Sequence, residues 1–139
     1  MAMPLTEVQL AYAAGIFDGE GCIRVNRQGK QPVVRIHVTN TDPRLTTTLK
    51  EWFGGYVWVE SKQYMANAKI RYVWEASATS AARVLRAVLP YLFLKHEQAE
   101  IALAIQATKI RRNFVPVEIV AEREVLADRL RVLNKKGVA

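Results

Sequence analysis

Asp18 and Glu20 stand two residues apart, interleaved with Gly19 and Gly21, at the end of the small and apolar run Ala13-Ala14-Gly15-Ile16-Phe17. Carboxylate oxygens are the ligands that hard divalent cations prefer. Small residues let a second backbone approach closely, and glycines end a helix. The stretch therefore reads as a tightly packed helix with carboxylates projecting from its end. Other chemistries find less support. His37 and His96 have no cysteine or second histidine at metal-ligand spacing, so no zinc site is expected. Cys22, the one cysteine, begins a predicted strand and reads as packing, not as a nucleophile. There is no P-loop and no dinucleotide fingerprint.

A helix over Thr6 to Asp18 would carry this run. Thr6 and Gln9 have capping-box spacing, Val8, Ala11, Tyr12, Gly15 and Ile16 recur at helical intervals, and Gly19 and Gly21 stop it. Cys22 to Arg27 alternates, with Ile23 and Val25 on one face and Arg24 and Asn26 on the other, as a half-buried strand does. After the turn Arg27-Gln28-Gly29-Lys30, Val33 to Thr39 is a second strand, with Val34, Ile36 and Val38 inward and Arg35, His37 and Thr39 outward. The short connection makes the pair an antiparallel hairpin. Asp42 caps a second helix and Pro43 fits its first turn. Leu45, Leu49, Trp52 and Phe53 form its apolar face, and Gly54-Gly55 ends it. Tyr56 to Ser61 and Ile70 to Ala76 are strands around a polar tip, Lys62 to Lys69. Val57 and Val59 face the core, leaving Tyr56, Trp58 and Glu60 outward; Arg71, Val73 and Glu75 oppose Tyr72 and Trp74. Ser77 or Thr79 caps a helix to about Leu89, Pro90 breaks it, and helices follow over Lys95 to Arg112 and about Glu118 to Leu133. The order is αββαββα with extra C-terminal helices, an α+β fold expected to form one domain over residues 1–139.

With 139 residues, half of them apolar, the chain is long enough for a hydrophobic core. No apolar run approaches the roughly 20 residues that span a bilayer, so no membrane partner is expected. Met1 to Glu7 lacks a basic segment followed by an apolar core. The expected location is cytoplasmic, or organellar if the protein is encoded there, and not secreted. The lone cysteine fits a reducing compartment. Twenty basic and 13 acidic residues leave a net charge of +7, for which nucleic acid is the first partner to consider. A basic protein with solvated lysines has the same balance, so the position of the charges must decide.

The outward strand positions carry that decision. Arg24, Asn26, Arg35, His37, Lys69 and Arg71 share one face of a four-stranded sheet, and tips with Arg27, Lys30, Lys62 and Lys69 extend it. A twisted sheet of this kind can lie along a major groove, where Arg, Asn and His reach base edges and Lys reaches phosphates. The bland alternative is a solvated sheet face, which Trp58 and Tyr56 argue against. Glu60 and Glu75 make the face mixed, as a sequence-reading surface is.

Ala13 to Gly21 resembles the signature helix of the LAGLIDADG homing endonuclease family. Gly15, Asp18, Gly19 and Gly21 match motif positions, and Glu20 is a carboxylate variant of the final aspartate. The αββαββα order is that family's fold, with a four-stranded antiparallel DNA-binding sheet, and the arrangement is most similar to single-motif, homodimeric members. The resemblance makes Glu20 a metal ligand, with the Gly19 carbonyl as a second, for Mg2+ or Mn2+ as its substitute. A solvent-exposed turn residue is the alternative for Glu20. The segment Pro90 to Ala99 resembles the one that carries the family's active-site lysine, here Lys95; an exposed lysine at a helix start is the alternative. Asn40 matches a polar amide that orients solvent, although it also suits a turn, and Arg44 matches a position that faces the scissile phosphates.

One motif per chain implies a homodimer, with helices crossing at Ala11, Ala14, Gly15 and Asp18. Packing of Ala14 and Gly15 against the chain's own helices is the alternative. Asp18 takes a structural role, such as a hydrogen bond across the dimer. The expected activity is site-specific, metal-dependent double-strand cleavage of DNA at a long, nearly palindromic site. Base readout falls to Arg24, Asn26, Arg35, His37, Trp58, Glu60, Arg71 and Glu75, and phosphate contacts to Arg27, Lys30, Lys62 and Lys69. A cleavage-inactive DNA-binding regulator and an RNA-binding intron maturase are the alternatives on the same fold.

Overall fold

The computed structural model describes residues 4–28, 31–60, 69–109 and 115–136. Helix α1, Glu7–Glu20, leads into the hairpin of β1, Gly21–Gln28, and β2, Gln31–Asn40. Helix α2, Pro43–Phe53, is followed by β3, Tyr56–Glu60, and β4, Arg71–Ser77. Helix α3, Ala78–Val88, passes through a short 3-10 turn, Leu89–Tyr91, into α4, His96–Ala107, and α5, Val117–Lys136, closes the chain.

The four strands form one antiparallel sheet in the order β1-β2-β4-β3. Its helix-facing side is apolar at every second residue, as the pleat requires: Ile23, Val34, Ile36, Val38, Trp74 and Ala76 are all buried. Val57 packs against the core, but Val59, expected to do the same, is 57% exposed. It lies near the end of an edge strand, beyond the cover of the helices.

Helix α1 starts as its capping box dictates. Thr6 Oγ1 accepts from the Gln9 N–H at 3.1 Å and Gln9 Oε1 accepts from the Thr6 N–H at 2.9 Å. Gly19 does not stop the helix; Glu20 is its last residue and Gly21 its C-cap. Gly21 is required by space: a Cβ there would stand 2.7 Å from the Phe17 carbonyl oxygen and 2.8 Å from its Cα. Ala13, Ala14 and Phe17 form the buried stripe of α1. Phe17 stacks on Trp74 at 5.7 Å and meets Phe53 at 6.0 Å, which ties α1 to both the sheet and α2.

Tight turns elsewhere hold the sheet to its helices. Gly55, at φ +89°, lets β4 approach so closely that a Cβ would stand 2.6 Å from the Glu75 carbonyl oxygen. The Trp74 indole N–H donates to the Gly54 carbonyl at 2.7 Å. Helix α4 ends at Ala107, short of the expected Arg112: Thr108 is its C-cap and Lys109 is not helical, while residues 110–112 lie outside the described residues. Helix α5 packs on α4 and reaches β1, where Asn134 Nδ2 donates to the Ile23 carbonyl at 2.9 Å. No described helix is long and apolar enough to cross a membrane.

Candidate active site and nucleic-acid interface

The C-terminal turn of α1, the end of β2 and the start of α2 bring three of the candidate catalytic residues together, Glu20, Asn40 and Arg44, while Lys95 bonds to Asp18 instead. Asn40, the last residue of β2, donates from Nδ2 to one carboxylate oxygen of Glu20 at 2.7 Å. Its Oδ1 accepts from the Asp42 N–H at 2.8 Å, which fixes which way the amide points. Asp42 in turn caps α2 through the Arg44 N–H at 2.9 Å and holds the Arg44 guanidinium on both oxygens at 2.6–3.1 Å. Glu20, Asn40, Asp42 and Arg44 are thus one continuous hydrogen-bonded chain. Hydrogen bonding to Arg44 holds the exposed Asp42 carboxyl down at about 2. The capping signal was visible in the sequence, but Asp42's link between Asn40 and Arg44 was not, because capping and side-chain pairing use the same residue.

Asp18 faces the other way. Its carboxylate accepts from the N–H groups of Phe93, Leu94 and Lys95 at 2.8, 3.1 and 2.9 Å. The Lys95 Nζ donates to the Asp18 carbonyl at 2.7 Å. Asp18 therefore bonds within its own chain. A cavity of about 780 Å³ opens beside this contact, lined among others by Asp18, Gly21, Cys22, Lys95, His96 and Asn134.

Glu20 is an exposed carboxylate at the negative end of a helix, a position that disfavours an anion and favours a cation beside it. Gly19 lies in the same last turn, where carbonyls lack helical partners, and a Cβ there would point into open space. Oxygen donors of this kind suit a hard divalent cation. Among the described residues, however, no three His, Cys, Asp or Glu side chains gather to enclose a metal ion.

The outward face of α1 differs from the buried one. Ala11, Gly15 and Gly19 are exposed, as are Val8 and Tyr12 at 79% and 60%. Ala14 is fully buried and contributes no surface for a partner, contrary to the expectation for a helix crossing there. At about 100° per residue it shares the core-facing stripe with Ala13 and Phe17.

On the sheet face away from the helices, Arg24 lies directly opposite Arg35, and His37 opposite Glu75. Arg35 pairs with Glu75 at 3.2 Å and Arg71 with Glu60 at 2.6 Å. Arg35 Nε and His37 Nδ1 are buried and find no hydrogen-bond partner among the described residues. Burial, reinforced by the charge of Arg24, pushes the His37 imidazole below its ordinary 6.5, against opposing pulls from Glu75 and Glu60. Tyr56 is 74% exposed and Trp58 43%, both on this face. Asn26 lies on β1 and Lys69 is exposed just before β4. Lys30 and Lys62 lie outside the described residues, as does the side chain of Arg27.

The LAGLIDADG-like domain family matches residues 7–86. Among solved structures, the homing endonuclease I-CvuI, in complex with its target in the presence of Ca, superimposes with a TM-score of 0.74 at 24% identity, over 91% of this chain and 82% of that one. The archaeal intron-encoded homing endonuclease I-Vdi141I, complexed with DNA, gives 0.74 at 15% identity, over 91% and 84%. I-GzeII, in complex with its DNA target, gives 0.67 at 14% identity, and this chain spans 43% of its length. At these identities the likeness establishes a common fold. No curated protein matches in sequence.

Proposed function

This chain belongs to the LAGLIDADG-like family, and from that premise we propose that it is a site-specific, metal-dependent double-strand DNA endonuclease that acts as a homodimer. The observation that carries the reading is the bond from Asn40 to Glu20 at the exposed end of α1. It joins a carboxylate, an oriented amide and, through Asp42, an arginine in one polar chain.

In this reading Glu20 and the Gly19 carbonyl hold Mg2+, or Mn2+ in its place; I-CvuI and I-SmaMI, of the same fold, have been seen with Ca or Mg. The bound ion would lower the proton affinity of water and neutralise phosphate charge. Hydrolysis then bonds a water oxygen to phosphorus, breaks one P–O bond and returns a proton to the leaving oxygen. Asn40 orients Glu20 and nearby solvent, Arg44 faces the phosphate, and Lys95 adds positive charge near the reacting group. The sheet supplies readout through Arg24, Asn26, Arg35, His37, Trp58, Glu60, Arg71 and Glu75, with Arg27, Lys30, Lys62 and Lys69 on phosphates. Ala11 and Gly15 on the open side of α1 meet the same helix of a second copy. Residues 1–139 form one such unit.

Glu20→Gln tests the reading. The variant is expected to bind the target selected from a random DNA library as the unaltered protein does, and to lose Mg2+-dependent cutting. An unaltered protein that binds a defined site but never cuts it, with any divalent metal, would make the protein a DNA-binding regulator instead.

A further inference from the structure

Asp18 makes four contacts with one short segment, Phe93 to Lys95, which runs from the buried Leu92 to the first turn of α4. Phe93 and Leu94 are 85% and 65% exposed, so side-chain packing does not anchor them. Lys95 is the N-cap residue of α4, yet its side chain makes no capping bond. Instead the Asp18 carboxylate accepts three successive N–H groups just ahead of α4, at 2.8–3.1 Å. A carboxylate is favourable there because a helix N-terminus carries partial positive charge. The reverse contact is equally well matched. Lys95 places its ammonium on the Asp18 carbonyl at 2.7 Å, in the last turn of α1, where partial negative charge favours a cation.

We propose that Asp18 is a positioning residue that sets where the Lys95 ammonium stands relative to Glu20. The two opposite helix ends are joined reciprocally: the carboxylate of one fixes the start of the other, and the lysine of the other returns to the first. Asp18 lies two residues before Glu20 on the same final turn, so the clamp references Lys95 to the helix that carries the candidate metal ligand. Asp18 itself needs no contact with DNA or metal. The catalytic consequence rests on the nuclease reading above; the clamp does not.

Asp18→Asn keeps the shape but turns an amide donor toward N–H groups. In the free protein, hydrogen exchange at Phe93, Leu94 and Lys95 is expected to accelerate while the interior amides of α4 keep their protection. On bound DNA, single-turnover cutting is expected to fall about 10-fold to 100-fold, with the dissociation constant of the uncut complex unchanged. Adding Lys95→Met to Asp18→Asn is expected to remove little more, because the lysine has already lost its place. Unchanged exchange at all three amides overturns the proposal, as does unaltered cutting or a fully multiplicative double loss. Asp18→Glu, which keeps the charge but shifts it by a methylene, gives the same readouts if the asparagine variant does not fold. If the unaltered protein cuts nothing, the nuclease reading fails, and amide exchange still decides whether Asp18 fixes the Lys95 segment.

Discussion

At the scale of single residues, the outward face of the sheet is a set of charges held by their neighbours. Arg24 and Arg35 face each other across strands, which is unfavourable for like charges, and Glu75 on β4 offsets it through its pair with Arg35. The Arg35 side chain is only 19% exposed, so its guanidinium is held in place before any partner arrives. Arg35→Ala is expected to relax base choice in each half-site at a cost of about 1–3 kcal/mol, read by binding selection on half-site libraries. A loss uniform over all sequences would make Arg35 a phosphate contact. Asp42 carries a pH signature. Its folded value of about 2 lies below the ordinary 3.8, so its contribution to stability is present above 3.8 and disappears as pH falls towards 2. The stability difference between the unaltered protein and Asp42→Asn, followed by acid titration of unfolding, is expected to be constant above pH 5 and to shrink between about pH 4 and pH 2.

Elements place these residues by close backbone packing. Helix α1 has to end within one residue of β1, and Gly21 permits that turn because a side chain would run into Phe17. Gly21→Ala is expected to destabilise the fold by about 1–3 kcal/mol, measured as a lower denaturation midpoint, with the loss of activity following the loss of folded protein. The sequence located this helix and its capping box but ended it too early. Of the two glycines expected to stop it, Gly21 is the C-cap, with its N–H on the Phe17 carbonyl, whereas the helix continues through Gly19 to Glu20. That difference matters, since it puts Glu20 in the negative field of the helix end and not in a free turn. The alternation of Cys22 to Arg27 and Val33 to Thr39 gave the correct faces, because a strand's period of two fixes sidedness locally.

For the whole molecule, the exposed apolar side of α1 is what supports the proposed pairing of two chains. Val8 and Tyr12 stay exposed on the face of α1 opposite its buried stripe, next to open Gly15. A second copy would cover them and bring a second Glu20 alongside the first. Sedimentation equilibrium with DNA is expected to give two chains per site, and Gly15→Leu, where a Cβ meets nothing within 4 Å, is expected to shift the free protein towards monomer while its helix content stays unchanged. A single chain bound per cut site would refute the shared active site.

The sequence by itself determined the order of elements, the inward and outward faces of the strands and the carboxylate-bearing motif, because each is a local pattern of period, cap or glycine. The family resemblance implies different roles for Asp18 and Glu20, but only the tertiary structure shows which groups each carboxylate meets. Asp18 and Glu20 are near neighbours of like charge, and nothing local separates them. Asp18 meets residues 75 to 77 positions away, whereas Glu20 meets Asn40 across the first hairpin. Ala14 and Gly15 were likewise indistinguishable as small residues until the packing of Phe17 on Trp74 fixed which side of α1 faces the core. The strand order β1-β2-β4-β3 was also beyond local reading, since alternation assigns a residue to a face but not a strand to its neighbour.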